Sequence, residues 1–254
     1  HKAKFKRPPD GFRRLTQTEI EQINRDPGST TLLPRQEKGT RPSCPLPYQL
    51  YADGNLSDDK KSFQIEFRAG NEIFGANAAG SPFRVYAPGR YQNIDQPNSY
   101  QDVRTWNYAV AAGDRLTDRW PLNEFETQNY YLRVYGPNGF FREYIGSRND
   151  PPLAVECEYE RAAEGGLSGK IELQIANLDR ESSYTVEITD LAYKQAKQTK
   201  IIAPAGTARV LLDLESSSNW YDFSLKISGV EGFEKRYAGR VETGRPGISD
   251  PAMA

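Results

Sequence analysis

The stretch that decides the fold is Asn129–Gly146, NYYLRVYGPNGFFREYIG, which has a second copy at Asp222–Gly239, DFSLKISGVEGFEKRYAG. In each copy, apolar and polar residues alternate on both sides of a glycine-bearing turn, and this pattern predicts a β-hairpin. The chain is therefore expected to contain two related β units. Six of the eighteen aligned positions are identical, namely Leu132/Leu225, Gly136/Gly229, Gly139/Gly232, Phe140/Phe233, Tyr144/Tyr237 and Gly146/Gly239.

Each copy also places a cation between two aromatic residues on its second strand. Phe140, Arg142 and Tyr144 are two residues apart in the first copy, so they share one face of the strand. The corresponding triplet in the second copy is Phe233, Lys235 and Tyr237. A cation beside aromatic faces is most economically a structural cation–π contact, and this is our interpretation of both triplets.

Strand signals recur along the rest of the chain, and helical periodicity is essentially absent after Asp26. Seven short candidate strands per half predict an all-β fold of two tandem immunoglobulin-like antiparallel β-sandwich domains, residues 46–150 and 151–254. RNDPP at 148–152 is the natural junction. The candidates are PYQLYA, SFQIEFR, PFRVYA, TWNYAVAAG, DRLTDRW, NYYLRVYG and GFFREYIG, then LAVECEYE, GKIELQIAN, SYTVEITDL, AKQTKIIA, ARVLLDL, WYDFSLKIS and FEKRYAGRVE.

Residues 1–45 have a different composition, with a basic start and a stretch rich in proline, glycine and serine. We expect an extended N-terminal arm with one short helix in LTQTEIEQINRD, capped by Thr16 or Thr18. The arm is interpreted as a linker, and a strap packed across a neighbouring domain is the alternative. The chain starts at His1 without an initiator methionine, which suggests a processed product or an excised fragment.

The composition argues against several classes of function. The 33 basic and 34 acidic residues give a net charge of −1, which does not favour nucleic acid or an anionic membrane. No apolar run approaches the roughly 18 residues of a membrane helix. The only histidine is His1, so a histidine-based triad or a multi-histidine metal site is not expected. The two cysteines, Cys44 and Cys157, are interpreted as separate thiols, and a disulfide between them stays open.

Some weaker candidates for chemistry remain. Asp114/Asp118 and Glu124/Glu126 are formal carboxylate pairs, but solvated charges are the simpler interpretation. The run from Asp53 to Asp59 superficially resembles a calcium loop but lacks its glycine and closing glutamate, so a hairpin turn is favoured. We therefore predict no catalytic, cofactor-binding or metal-binding residue in the chain.

Aromatic residues supply the candidate ligand contacts. Core or rim packing is the favoured interpretation of Trp106, Trp120 and Trp220. If the chain contacts a sugar or a lipid surface, Tyr100 and Trp106 in the long loop NIDQPNSYQDVRTW are the candidates.

Three further stretches resemble a known family: LPRQEKGTRPSCPLPYQLYADG, YYLRVYGPNGFFREYIG and YAGRVETGRPGISDPAM. Together and in this order, they resemble the C-terminal tandem β domains of bacterial phosphocholine-preferring phospholipases C, of the non-haemolytic and haemolytic types. The resemblance covers residues 30–254. In the second copy, Val230 and Glu231 replace Pro-Asn, so a binding role for the turn cannot be transferred to both halves. The family-signature residues are Gly136, Pro137, Asn138, Gly139, Phe140, Gly232, Phe233, Glu242, Thr243, Gly244, Arg245, Pro246, Ser249, Asp250 and Pro251.

The resemblance implies a secreted or periplasmic bacterial protein whose catalytic domain lies N-terminal to this chain. That domain hydrolyses phosphatidylcholine or sphingomyelin, and residues 1–45 would be the linker from it. This chain is then expected to be a non-catalytic accessory region, inactive by itself, with no cofactor. Its expected partner is the catalytic domain, and a lipid surface or glycan is a further candidate. The alternative is a carbohydrate- or surface-binding β-sandwich module.

Overall fold

The structure, a computed structural model, describes residues 10–33, 38–96, 98–163 and 165–254. The basic start of the arm and residues 34–37, which include part of the QEKGTRP motif, lie outside the described residues. The chain separates into two compact units, His1–Gly39 and Thr40–Ala254.

In the N-terminal unit, the described residues form the α-helix α1 (Gln17–Arg25). Thr16 is its N-cap and forms a capping box with Glu19, whose carboxylate accepts the backbone N–H of Thr16 at 2.8 Å. The prediction of a short helix is thus confirmed, with Thr16 rather than Thr18 as the cap. None of the helical residues is buried.

Every strand of the described residues lies in the second unit. The first half contains β1 (Pro42–Ser43), β2 (Leu50–Leu56), β3 (Ser62–Ala69), β4 (Ser81–Ala87), β5 (Tyr91–Gln92), β6 (Tyr100–Gln101), β7 (Arg104–Val110), β8 (Arg115–Pro121), β9 (Tyr130–Tyr135) and β10 (Phe141–Gly146). The second half contains β11 (Leu153–Arg161), β12 (Leu167–Asn177), β13 (Tyr184–Asp190), β14 (Gln198–Ile202), β15 (Thr207–Leu212), β16 (Trp220–Ile227), β17 (Glu234–Arg240) and β18 (Gly247–Ile248). Each of the fourteen predicted strand segments corresponds to one of these strands.

The strands form two antiparallel immunoglobulin-like sandwiches, which confirms the predicted fold class. In the first, the three-stranded sheet β2-β3-β8 faces β10-β9-β4-β7; in the second, β11-β12-β15 faces β14-β13-β16-β17. The two four-stranded halves join through β10 and β17 into one eight-stranded sheet. The limits of the two predicted domains stay a prediction, but the layers repeat in the same strand order.

Each sandwich has its own apolar core. Phe63, Ile65 and Phe67 alternate along β3 and are fully buried in the first core, and Ile171, Leu173 and Ile175 do the same along β12 in the second. This alternation, with polar residues between, follows from the two-residue period of a strand covered on one face. The burial of one strand face thus determines which side chains point into each core.

Candidate functional site

The two copies of the repeated hairpin meet in the middle of the eight-stranded sheet. On β10 and β17, Arg142 is opposite Tyr237 and Tyr144 is opposite Lys235. Because Arg142 corresponds to Lys235 and Tyr144 to Tyr237 in the repeat, this pairing is unchanged when the two copies are exchanged. The sandwiches are therefore related by an approximate two-fold axis. We call the strand pair β10–β17, with the strands β2 and β11 that cover it, the seam.

Arg142 lies in the seam with a fully buried side chain. Its guanidinium donates to the carbonyl oxygen of Ala238 at 3.1 Å and to the hydroxyl of Tyr221 at 3.2 Å. Its guanidinium carbon is 4.1 Å from the ring centroid of Phe140 and 5.1 Å from that of Tyr237. The predicted cation–π contact with Phe140 is confirmed, but Arg142 also binds the other sandwich, which the sequence pattern did not indicate.

Lys235 occupies the equivalent position in the second copy and is 2% exposed. Its ammonium donates to the carbonyl oxygen of Gly54 at 2.7 Å and to Oδ1 of Asn55 at 2.8 Å, both on β2 of the first sandwich. It lies 6.0 Å from the ring centroid of Tyr144. Like Arg142, it ties the two sandwiches together through neutral acceptors and an aromatic ring.

A half-buried carboxylate, Asp53, completes the charged part of the seam. Its Oδ1 accepts the backbone N–H of Cys157 at 3.2 Å. Burial raises the pKa of Asp53 to about 7, although Arg142 acts in the opposite direction. Burial also lowers the pKa of Lys235 to about 8, against the attraction of Asp53 and Asp150. Both shifts show that desolvation outweighs charge pairing at the seam.

Hydroxyl groups connect the seam to its covering strands. Tyr144 on β10 donates its hydroxyl to the carbonyl oxygen of Ala52 on β2. Tyr159 on β11 donates its hydroxyl across the seam to the carbonyl oxygen of Leu50 at 3.0 Å. The sandwiches are therefore joined in both layers.

The junction between the halves is held by Asp150. Its Oδ2 accepts from the Tyr130 hydroxyl at 2.6 Å and from the backbone N–H of Ser147 at 2.9 Å. Lys60 Nζ donates to the Asp150 carbonyl oxygen at 3.0 Å. With Asp150 only 4% exposed and these three contacts in place, the segment 148–152 is a fixed corner.

A second buried charge cluster joins the repeated turn to the C-terminal segment. Oε1 of Glu242 accepts from Nδ2 of Asn138 at 2.6 Å and from Nη1 of Arg240 at 2.8 Å. Oε2 accepts from the backbone N–H of Leu46 at 3.2 Å. Glu242 and Arg240 are 1% and 7% exposed. Three distant parts of the chain thus converge on one carboxylate.

The residues that follow Glu242, the tail (residues 243–254), return along the start of the unit. Within the tail, β18 pairs antiparallel with β1, Pro42–Ser43. The indole of Trp220 donates to the carbonyl oxygen of Ile248 at 3.0 Å, and the hydroxyl of Tyr193 donates to Asp250 at 2.9 Å. These contacts fasten the tail to the second sandwich and to the incoming chain.

The signature residues fall into three places: the two copies of the hairpin turn and the segment that begins at Glu242. In the first turn, Asn138 and Gly139 have φ values of 56° and 72°, which explains the Asn-Gly pair, and Phe140 is buried beneath Arg142. Gly139 packs against the Trp220 indole, which a Cβ would approach to 3.2 Å. The second-copy turn has Gly232 at φ 79° and buried Phe233. The remaining signature residues are Glu242 and, in the tail, Thr243, Gly244, Arg245, Pro246, Ser249, Asp250 and Pro251.

The candidate ligand contacts lie apart from the seam. Trp106 is on β7, an edge strand, where it packs edge-on against Tyr91 and Trp120 with centroid distances of 5.1 and 5.7 Å. Tyr100 is on β6, with the guanidinium carbon of Arg90 5.9 Å from its ring centroid. A ligand role for Tyr100 and Trp106 stays a prediction.

The remaining sequence candidates are dispersed. The segment from Asp53 to Asp59 belongs to the β2–β3 hairpin, with Asp53 in the seam and Asp59 accepting from Ser57 and Lys61 in the turn. In the described ranges, no three His, Cys, Asp or Glu side chains group as metal ligands. Both cysteines are free, Cys44 exposed and Cys157 buried. Asp114 is exposed, Asp118 accepts from Tyr108, Glu124 accepts from Tyr91, and Glu126 pairs with Arg90.

Among the described residues, no helix has the length and apolar character needed to cross a bilayer. What sequence reasoning missed is the seam itself and the Asn138–Glu242 contact. The signal for the seam was present: a charged residue at the centre of an otherwise buried strand face needs buried partners, and each copy supplied one.

Comparison with known proteins agrees with this architecture. The profile of the family described as "Bacterial phospholipase C, C-terminal domain" matches residues 42–147 and 153–240, one match for each sandwich. Among solved structures, red sea bream transglutaminase aligns with 87% of the chain and 32% of its own at 10% identity and a TM-score of 0.21, too weak a likeness to support an argument.

Three curated relatives are similar over most of the chain. Non-hemolytic phospholipase C of Pseudomonas aeruginosa is 31% identical over 89% of the chain and 30% of its own length. Non-hemolytic phospholipase C of Burkholderia pseudomallei is 31% identical over 97% of the chain and 32% of its length. Hemolytic phospholipase C of Pseudomonas aeruginosa is 32% identical over 87% of the chain and 30% of its length. The chain thus spans about a third of these relatives, and it belongs to the family of bacterial phospholipase C C-terminal domains.

Proposed function

We propose that this chain is the non-catalytic accessory region of a secreted bacterial phosphocholine-specific phospholipase C. In this role, it braces or orients a catalytic domain that hydrolyses phosphatidylcholine or sphingomyelin. Its partner is that domain, and lipid or glycan contact would be secondary. The proposal combines the family membership with relatives about three times as long as the chain.

One structural observation carries the bracing role: the two sandwiches form a single block. They share an eight-stranded sheet, and hydrogen bonds from Tyr159 to Leu50 and from Cys157 to Asp53 join their covering strands β11 and β2. A bracing region must be rigid, and two sandwiches connected only by a flexible linker would move relative to each other. The tail also fastens the beginning of the block at Pro42–Ser43 to its end.

The test uses the Pseudomonas aeruginosa non-hemolytic phospholipase C that resembles this chain. Three proteins are compared: the whole enzyme, the enzyme truncated before the matching segment, and a chimera in which this chain replaces that segment. We expect truncation to lower the melting temperature and the secreted yield, and the chimera to restore both. A truncated enzyme that is as stable, as well secreted and as active on vesicles as the whole enzyme would refute bracing.

The isolated chain is tested separately for turnover of a chromogenic phosphocholine ester. We expect none above a buffer blank. Turnover that is abolished by Asp118→Asn, but not by the exposed control Asp95→Asn, would show that the chain is itself a hydrolase. Saturable binding to a glycan array that Trp106→Ala abolishes would instead favour a recognition module.

A further inference from the structure

The approximate two-fold relationship of the seam is broken around its two cations. The seventh residue of β11 is Tyr159, and the seventh of β2 is Leu56. In the hairpin repeat, Tyr221 of the second copy corresponds to Gln128 of the first. Arg142 is covered by the large residue at both positions, because it contacts Tyr221 and lies near Tyr159. Lys235 has the smaller residue at each equivalent position, and Gln128 is exposed.

The missing bulk on the Lys235 side leaves a pocket of about 220 Å³ between the sandwiches. Its lining comes from both halves of the chain and from the fixed junction, and its walls are mostly apolar. The apolar residues include Leu56, Phe63, Leu153, Leu178 and Phe233. A pocket of this size holds a small molecule rather than a lipid or an oligosaccharide.

Two lysines, Lys60 and Lys235, supply the positive charge of this pocket. Lys235 lines the pocket and has three N–H groups, of which two bind Gly54 and Asn55. In the described part of the chain, no carboxylate lies within ion-pairing distance of its ammonium. Lys60 at the same pocket uses one donor on the Asp150 carbonyl oxygen. Asp53 and Asp150 attract the ammonium from a distance, but its hydrogen-bond partners are both neutral, so an added anion at the third N–H would stabilise it.

The one buried acid at the pocket does not serve this purpose. The carboxylate of Asp150 is occupied by the hydroxyl of Tyr130 and by the backbone and hydroxyl of Ser147. Asp58, the other acid in the lining, is exposed. The pocket therefore combines an apolar wall, a buried cation and unused donors.

We propose that the Lys235 pocket binds a small carboxylate with an apolar body, its oxygens at Lys235 and Lys60 and its hydrocarbon part against Leu56 and Phe233. The shape of the pocket sets the size of the ligand, and the charge sets its head group. On the Arg142 side of the seam, the bulkier Tyr159 and Tyr221 occupy the equivalent positions beside the cation. Burial lowers the pKa of Lys235 to about 8, and a bound anion would raise this pKa again because it stabilises the charged ammonium.

The test titrates the whole chain with hexanoate and follows binding by saturation-transfer NMR. Acetate carries the same head group without the hydrocarbon, and 1-hexanol carries the hydrocarbon without the charge. We expect saturable hexanoate binding with a Kd on the order of 1 mM and at least tenfold weaker binding of both other probes. Binding of hexanoate should weaken as the pH rises through about 8, where Lys235 loses its proton.

Leu56→Tyr copies the second sandwich and should fill the pocket, abolishing hexanoate binding while the fold is kept. Leu116→Tyr, at an exposed position on β8, is the matched control and should bind normally. Lys235→Met should also abolish binding, with the exposed Lys200→Met as its control; if Lys235→Met does not fold, Leu56→Tyr and the pH dependence decide. No saturable binding, equal binding of 1-hexanol, or unchanged binding by Leu56→Tyr would overturn the proposal. None of these results bears on the bracing role.

Discussion

Arg142 of the first sandwich lies directly opposite Tyr237 of the second, with its guanidinium carbon 5.1 Å from the centre of that ring. A cation that a single hairpin would hold locally is thus shared between two sandwiches. Its donors reach the Ala238 carbonyl oxygen and the Tyr221 hydroxyl, both in the second sandwich. This residue therefore contributes to the stability of the block as a whole rather than to one half.

Replacing Arg142 with methionine should destabilise both sandwiches together. The side chain is fully buried, so its removal leaves buried acceptors without a donor and loses three aromatic contacts. We expect Arg142→Met to lower the free energy of unfolding by about 3 kcal/mol, measured by urea denaturation. Arg119→Met, at an exposed position on β8, should change it by less than about 0.5 kcal/mol. Equal effects of the two changes would contradict a role for Arg142 in the seam.

Local sequence patterns predict much of this fold, but they do not predict the seam. Alternation along β3 and β12 predicts the strands because each is covered on one face, and Thr16 with Glu19 predicts the helix start. Both are local regularities. Which strand edges meet is a long-range choice, and nothing near Arg142 in the sequence points to Tyr237.

The same reasoning applies to the charge cluster at Glu242. Asn138 is recognisable as a turn residue because it tolerates a positive φ. Its side chain, however, binds a carboxylate 104 residues away. The family resemblance marked Asn138 and Glu242 separately, and the structure shows that their side chains are in contact.

The pH dependence of stability should reflect Asp53. Burial raises the pKa of Asp53 to about 7, whereas an unfolded chain titrates this group at ~3.9. Between these values, the folded chain holds a proton that the unfolded chain has released, so this contribution to stability is present at low pH and is lost as the pH rises to about 7. Asp53→Asn copies the protonated form. We therefore expect the wild-type urea midpoint to fall relative to that of Asp53→Asn from about pH 4 to 7.

A matched control separates this effect from general titration. Asp95→Asn changes an exposed loop residue, and its urea midpoint should follow the wild type across the same range. Lys235 affects stability in a higher pH range. Because its pKa is lowered to about 8 in the folded chain, the folded chain releases this proton at a lower pH than the unfolded chain does. Its contribution to stability therefore rises with pH above about 8. A constant difference between wild type and Asp53→Asn from pH 4 to 7 would show that Asp53 is not protonated in the folded chain.

Neutralising Glu242 should loosen the tail. Glu242→Gln keeps the shape but leaves Arg240 buried without its ion-pair partner, so we expect a loss of about 2 to 4 kcal/mol. Limited proteolysis should then cut within residues 243–254 faster than in the wild type. Glu231→Gln, at an exposed turn position, is the control and should not change the cutting rate.

The contact between Asn138 and Glu242 can be measured as a coupling. If the two side chains bind each other as their 2.6 Å separation indicates, the losses caused by Asn138→Gly and Glu242→Gln should not add. Glycine tolerates the positive φ of this position, so the change removes the side chain without adding backbone strain. We expect the double variant to be about 1 kcal/mol more stable than the sum of the single losses predicts. Full additivity would show that the two residues act independently.

The fixed junction makes a prediction about two glycines that differ in their surroundings. A Cβ on Gly146 would lie 2.1 Å from Oδ2 of Asp150 and 2.2 Å from the hydroxyl of Tyr130, the two groups that hold the corner. Gly229, in the second-copy turn, has open space around a Cβ but a φ of 77°. Gly229→Ala should therefore cost only its backbone strain, about 1 kcal/mol. Gly146→Ala should cost about 3 kcal/mol, because it separates Asp150 from its buried donor.

The two variants also differ in where proteolysis should change. Gly146→Ala should open the corner between the sandwiches, so cleavage should appear at residues 147–152 under native conditions. Gly229 lies at a hairpin tip, so in Gly229→Ala the cleavage at residues 147–152 should stay at the wild-type rate. If Gly146→Ala is no more costly than Gly229→Ala and leaves the junction protected, Asp150 does not fix the corner, and the single block on which bracing depends loses one of its supports.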